Sequence, residues 1–167
     1  NSGRFRQKGD IFRDASIWEE AAEKKVTKIK SLIDAELKGA GVTCVLIGSE
    51  TYSRRWVRYE IVKSLELKKG QVGVGINWIK DKFGNIKFWP GENPFEYLKL
   101  DVNNNGKEIN VFEQKENSWI PFKDLPVIKN SHFKEKYFGS NFKLSQLYNT
   151  YSYDWDNGKS NFPVWIE

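Results

Sequence analysis

The chain has 167 residues, a length that suits one domain. One cysteine, Cys44, and one histidine, His132, exclude an internal disulfide framework, a Cys-rich metal site and zinc sites of the multi-His kind. The net charge of +5 is confined to the first seventy residues, where 15 Lys/Arg face 10 Asp/Glu, while 19 of the 25 aromatic residues come later.

In chain order, residues 1–15 carry Gly3, Gly9 and Asp14 as breakers and read as a loop. Ser16, with Glu19 three residues on, fits a capping box opening an amphipathic helix. Val26, Ile29, Leu32, Ile33 and Leu37 follow at helical spacing, and Gly39 and Gly41 stop it. VTCVLI (42–47) is a short apolar run rich in β-branched residues, the mark of a strand buried on both faces in a parallel sheet. Cys44 within it is expected to be an inert core thiol.

Ser53 suits the N-cap of a second helix ending near Lys69 and Gly70, and VGVGI (72–76) reads as a further strand. Its alternate glycines suggest a flat face for close packing. Strand, helix and strand make a βαβ unit. The first helix then needs a strand before it, and none is evident upstream of residue 16. A strand upstream of Asn1 is therefore expected beside 42–47, the more so because the chain does not open on methionine.

In the second half DKFGN (81–85) reads as a turn, and Leu98–Val102 and Ile109–Phe112 flank the NNNG turn (103–106) of a hairpin. The segments 119–121 and 126–128 read as loops or edges. The tail, with Tyr148, Tyr151, Tyr153, Trp155 and Trp165, is too aromatic to stay unpacked. The basic half alternates cations with acids, as a solvated helix face does, so no nucleic acid is expected as a partner; a nucleotide-sized anion suits the bias better. No run approaches the roughly 18 apolar residues of a membrane helix. No secretory leader is evident, so no membrane association and a cytoplasmic home are expected.

One constellation carries chemistry. In SRRWVRYEIVKSLELKKG (53–70), helical spacing puts Glu60 about 40° from Trp56, on the stripe shared with Leu67. Arg54, Arg55 and Arg58 fall opposite, on a face expected to be exposed. A carboxylate on an apolar stripe is costly unless paired or functional. The plain alternative is a carboxylate at the stripe's edge, paired with Lys63 or Ser64.

RWVRYEIVKS (55–64) resembles the helix motif of TIR domains. FRDASIWEEA (12–21), the stretch 41–81, GENPFEYL (91–98) and YDWDNGKSNFPVWIE (153–167) are similar to the TIR-like family that includes the Thoeris anti-phage proteins. The resemblance runs over most of residues 10–100 and returns at the end, while 103–150 match poorly. It implies a flavodoxin-like α/β fold, a central parallel sheet wrapped by helices, over one domain (1–167) with a core of about 10–100 and a variable, aromatic-rich extension (101–167). It implies NAD as substrate with no metal or other cofactor, and release of nicotinamide. The implied product is a cyclic ADP-ribose-type signal that activates a partner effector after a phage-derived trigger. By position, Glu60 matches the catalytic glutamate and Asp14 and Ser16 the loop bordering the cleft; Ser49, Tyr52 and Trp56 fall near it. The family usually opens with a Phe/Ser-rich first strand, which is missing here. The alternative is a non-catalytic TIR-like module acting through self-association into homo-oligomers.

Overall fold

The computed structural model describes residues 6–7, 10–11, 26–80, 83–86, 89–129 and 133–167. Asp14, Ser16, His132 and the start of the first helix lie outside these residues. Two short strands, β1 (Arg6–Gln7) and β2 (Asp10–Ile11), pair antiparallel, and β2 lies parallel to β3 (Val42–Ile47) with Ile11 opposite Thr43. This corrects the expectation that nothing upstream of residue 16 pairs with β3: two residues of this chain take the position assigned to a segment before Asn1.

Helix α1 (Val26–Lys38) buries Ile29, Ile33 and Leu37, three of the five positions its periodicity selects, while Val26 and Leu32 are exposed. Helix α2 spans Arg55–Glu66 and β4 spans Gly70–Gly75. Strands β3 and β4 pair in parallel from Val42–Gly70 to Ile47–Gly75, completing the βαβ unit. Two details differ from the sequence reading. Ser53 does not cap α2: its hydroxyl donates to the Glu50 carbonyl (2.9 Å), and Arg54, in extended backbone, takes the N-cap place. The helix also ends earlier, on a left-handed Lys68 (φ 59°), where the amides of Lys68 and Lys69 bond the carbonyls of Leu65 and Ser64.

A second sheet is antiparallel. The hairpin of β5 (Leu98–Val102) and β6 (Glu108–Lys115) is its centre, with Val102 opposite Ile109. β7 (Ser118–Pro121) and β8 (Val127–Lys129) share the far edge of β6, as short edge segments should, and β9 (Asn141–Lys143) pairs with β5. The tail packs back. β10 (Thr150–Ser152) extends the first sheet parallel to β4, giving the order β1-β2-β3-β4-β10. Helix α3 (Gly158–Trp165) follows it, and Trp165 stacks on Tyr151 with centroids 4.5 Å apart.

This mixed α/β arrangement, a parallel sheet flanked by helices, agrees with a flavodoxin-like TIR fold. Alternation along β3 and β4 decides what each face meets. Thr43 and Gln71 point at α2, where they bond the Ser64 hydroxyl (2.8 Å) and the Ile61 carbonyl (3.1 Å). Cys44, Val72 and Val74 point the other way, toward Phe162 and Trp165 of α3. A Cβ on Gly73 would lie 2.9 Å from Ile47 Cδ1 and 3.3 Å from Phe95, so the small residue there does serve close packing.

Candidate functional site

Eight residues of α2 are buried: Trp56, Val57, Arg58, Tyr59, Ile61, Val62, Ser64 and Leu65. One face of a helix cannot account for so many, and the reason is cover from two sides. The parallel sheet holds Ser64 and Ile61, while β6 of the second sheet meets Arg58. Arg58 is therefore a correction: it sits opposite Glu60 around the helix, as its spacing requires, but that face is covered. Its guanidinium donates through Nη1 to Glu113 (2.9 Å) and the Gln114 carbonyl (3.1 Å), and through Nε to the Tyr52 carbonyl (2.9 Å). Only 7% of the Arg58 side chain and 9% of the Glu113 side chain are exposed.

Glu60 is half-buried on the flank between Trp56 and Ser64. Of the two side chains suggested as partners, Lys63 Nζ bonds Glu66 (2.5 Å) and lies 3.9 Å from Asp34, and Ser64 bonds Thr43. Trp56 is 2% exposed, packed edge-on to Tyr59 with the Arg55 guanidinium 4.6 Å from its ring centroid. It forms part of the wall behind the helix and presents little surface to a ligand. The Tyr59 hydroxyl donates to Asp34 (3.0 Å); burial first, and this bond second, push its pKa well above the usual phenol range.

Ser49 and Tyr52 lie in the β3–α2 connection, at the carboxyl end of β3, and both are half-buried. The Tyr52 ring is 4.9 Å from that of Tyr97. The Tyr97 hydroxyl donates to Glu92, which with partial desolvation pushes its pKa up to about 12. The structure thus places Ser49, Tyr52, Trp56 and Glu60 along one loop and the first two turns of one helix. Glu60 is on the helix flank, about 7–8 Å along the axis from Arg55.

A cavity of about 400 Å³ opens at the carboxyl ends of β3, β4 and β10, where open parallel sheets usually take ligands. Ile47, Gly75, Asn77, Trp78, Tyr151 and Trp155 line it, with Trp78 and Trp155 edge to face at 6.1 Å. The 76–93 connection is fastened over β3: the Gly91 amide donates to Asn77 Oδ1 (3.3 Å), and a Cβ on Gly91 would fall 1.8 Å from the Gly48 carbonyl oxygen. Glu60 is not among the cavity's described lining residues. Reading the sequence missed Asn77 and Trp78 although their place just after a parallel strand was a signal; Trp155 and Glu113 carry none.

A second ion cluster fixes the start of α2. Arg55 donates twice to Asp124 (2.7 Å each) and Lys30 of α1 reaches the same carboxylate (2.9 Å). Burial works against ionising Asp124, but the bonds from Arg55 and Lys30 outweigh it and hold the carboxyl below its usual range. Among the described residues no group of three or more His, Cys, Asp or Glu is placed to hold a metal, and no helix is long and apolar enough to cross a membrane.

Comparison with known proteins adds two findings. The family model described as "Thoeris protein ThsB, TIR-like domain" matches residues 1–81. A protein of Bacillus cereus (strain MSX-D12), named "Putative cyclic ADP-D-ribose synthase ThsB1", is 42% identical over 154 residues, covering 92% of this chain and 80% of that protein. An alignment of that extent takes in most of residues 103–150, the stretch in which the sequence alone shows little likeness.

Proposed function

The chain belongs to the Thoeris ThsB family of TIR-like proteins, and from that premise we propose that it cleaves NAD, releases nicotinamide and closes the remaining ADP-ribosyl group into a cyclic ADP-ribose-type signal. The observation that carries this reading is the 42% identity, over 92% of the chain, to a protein named as a cyclic ADP-D-ribose synthase.

In this reading Glu60 is the catalytic residue. The bond from ribose C1′ to the pyridinium nitrogen breaks, and nicotinamide leaves as a neutral amine with the bonding pair. No strong acid is needed, and no metal or cofactor beyond the substrate itself. Positive charge develops on C1′ and the ring oxygen. A carboxylate beside them stabilises it more strongly than bulk water would, because the half-buried Glu60 acts through a lower effective dielectric. A nucleophilic atom of the same ADP-ribosyl group then attacks C1′, giving up its proton if it carries one, and closes the ring. Ser49 and Tyr52 bind substrate from the β3–α2 loop and Asp14 and Ser16 border the cleft, while the buried Trp56 packs behind the helix that carries Glu60. The product activates an effector protein in the same cytoplasm, after a phage-derived trigger, and the enzyme self-associates when active.

The test is incubation of the purified protein with NAD, with and without lysate from infected cells, and separation of the products. Nicotinamide and a cyclic nucleotide are expected in the triggered sample. Intact NAD under both conditions would leave a non-catalytic interaction module as the reading.

A further inference from the structure

We infer that Arg58 and Glu113 are positioning residues: their buried pair fixes the roll of α2 and the β3–α2 loop against the second sheet, and so fixes where the Glu60 carboxylate points. The inference rests on the NAD-cleaving reading of Glu60 and gives the 103–150 region a part in it.

The argument begins with what a buried ion pair is good for. Replacing such a pair by apolar groups of similar volume is often neutral or stabilising, so stability alone is a weak reason for this one. Direction is a better reason. The planar guanidinium of Arg58 is satisfied on two segments at once, by the Tyr52 carbonyl of the loop and by Glu113 and the Gln114 carbonyl of β6. The Tyr97 ring lies over it at 5.4 Å and also touches Tyr52, so the loop, the helix and the second sheet meet at this one side chain. Lys115 lies 3.5 Å from the other oxygen of Glu113, which helps hold that carboxylate in place.

Arg58 and Glu60 are two residues apart, about 200° around the helix axis. Apolar contacts with Ile61, Val62 and Leu65 bury the helix without a preferred direction, and the bonds of Ser64 to Thr43 and of Tyr59 to Asp34 hold two of its other flanks. A roll of about 10° moves a side-chain tip at the helix surface by about 1 Å. A displacement of that size at a reacting centre can cost about a hundredfold in rate. The directional bonds of Arg58 oppose that roll from the side opposite Glu60.

The test compares Arg58→Lys and Glu113→Gln with wild type in triggered nicotinamide release. Lysine keeps the charge but gathers its donors on one nitrogen and lacks the planar fork that reaches two segments, and glutamine keeps an acceptor but not the charge, so each loosens the device with little change in volume. Val74→Ala, in the core of the opposite sheet face, is the control for lost stability alone. The expected result is a fall in kcat per folded molecule of roughly tenfold or more in both variants. KM for NAD should move far less, and Val74→Ala should keep the wild-type kcat. Unchanged kcat per folded molecule in either folded variant, or a loss no larger than that in Val74→Ala, would overturn the inference. If wild type releases nicotinamide and Glu60→Gln does not, a failure here falls on the positioning role alone. A silent wild type would instead remove the NAD reading and this inference with it.

Discussion

The two faces of the parallel sheet are built to different depths. On the face of Thr43, Val45 and Ile47 lie α1, α2 and then the second sheet, and among the described residues twenty buried apolar side chains form one continuous core from Ile29 to Leu144. Among the described residues the opposite face has Cys44, Val72 and Val74 as its buried members, covered by half-exposed side chains such as Tyr151, Phe162 and Trp165. The helix that carries Glu60 belongs to the deep side. That helix is packed between two sheets, while the described cover of the other face is a single layer of half-exposed side chains.

That contrast can be broken most directly by truncating one aromatic on each face. Phe95 is fully buried against Gly73 and Tyr148, so Phe95→Ala should cost about 3–5 kcal/mol in urea unfolding. Trp165→Ala, on a half-exposed ring that stacks on Tyr151 and meets Phe162 edge-on, should cost about 1–2 kcal/mol. Equal losses would mean that the thin face is no thinner in energy. Gly73→Ala asks how tightly the deep side is filled. Its new methyl would meet Thr150 Oγ1 at 2.8 Å and Ile47 Cδ1 at 2.9 Å, and overpacking of that kind should lower stability by about 1–3 kcal/mol.

The element that separates the faces was largely legible in the sequence. VTCVLI needs no partner to declare itself, because a continuous apolar run bounded by glycines has few other uses, and the helical spacing after it placed Glu60 and Trp56 on one flank correctly. What covers the opposite flank was not legible. Arg58 reads as solvated beside Arg54 and Arg55, since its acceptor Glu113 lies 55 residues away and leaves no local mark. Ser53 does not cap because Arg54 takes the N-cap place one residue later, and the Ser53 hydroxyl instead donates to the Glu50 carbonyl. The pairing of Ile11 with Thr43 rests on a two-residue strand, too short for any periodicity to reveal. Of the residues proposed for the site, Ser49 and Tyr52 lie on the β3–α2 loop and Glu60 on α2. The strand-end cavity was missed, because four of its eleven lining residues come from 150–155 and only folding brings that segment beside β4.

Two smaller effects sharpen the picture at the ends of α2. Lys68 holds a left-handed conformation that glycine adopts freely, so Lys68→Gly should raise the unfolding free energy by about 1 kcal/mol, read as a higher melting temperature. At the other end the lowered pKa of Asp124 predicts acid sensitivity. A carboxyl with a folded pKa below its unfolded one stabilises the protein above the ordinary carboxylate range, and that contribution fades as pH falls through the folded value. Asp124→Asn should therefore flatten the loss of stability below about pH 4, measured by denaturant midpoints across pH. An unchanged slope would show that the Arg55–Asp124–Lys30 cluster does little for the deep side.

The central claim is that the deep side holds a carboxylate for chemistry on NAD, and Glu60→Gln tests it most directly. Glutamine keeps the volume and helix propensity of glutamate and removes the charge, so the fold and melting temperature should change little. Nicotinamide released under triggered conditions should fall by about 10²–10⁴ relative to wild type. Triggered release within about twofold of wild type, from a folded Glu60→Gln protein, would contradict the account.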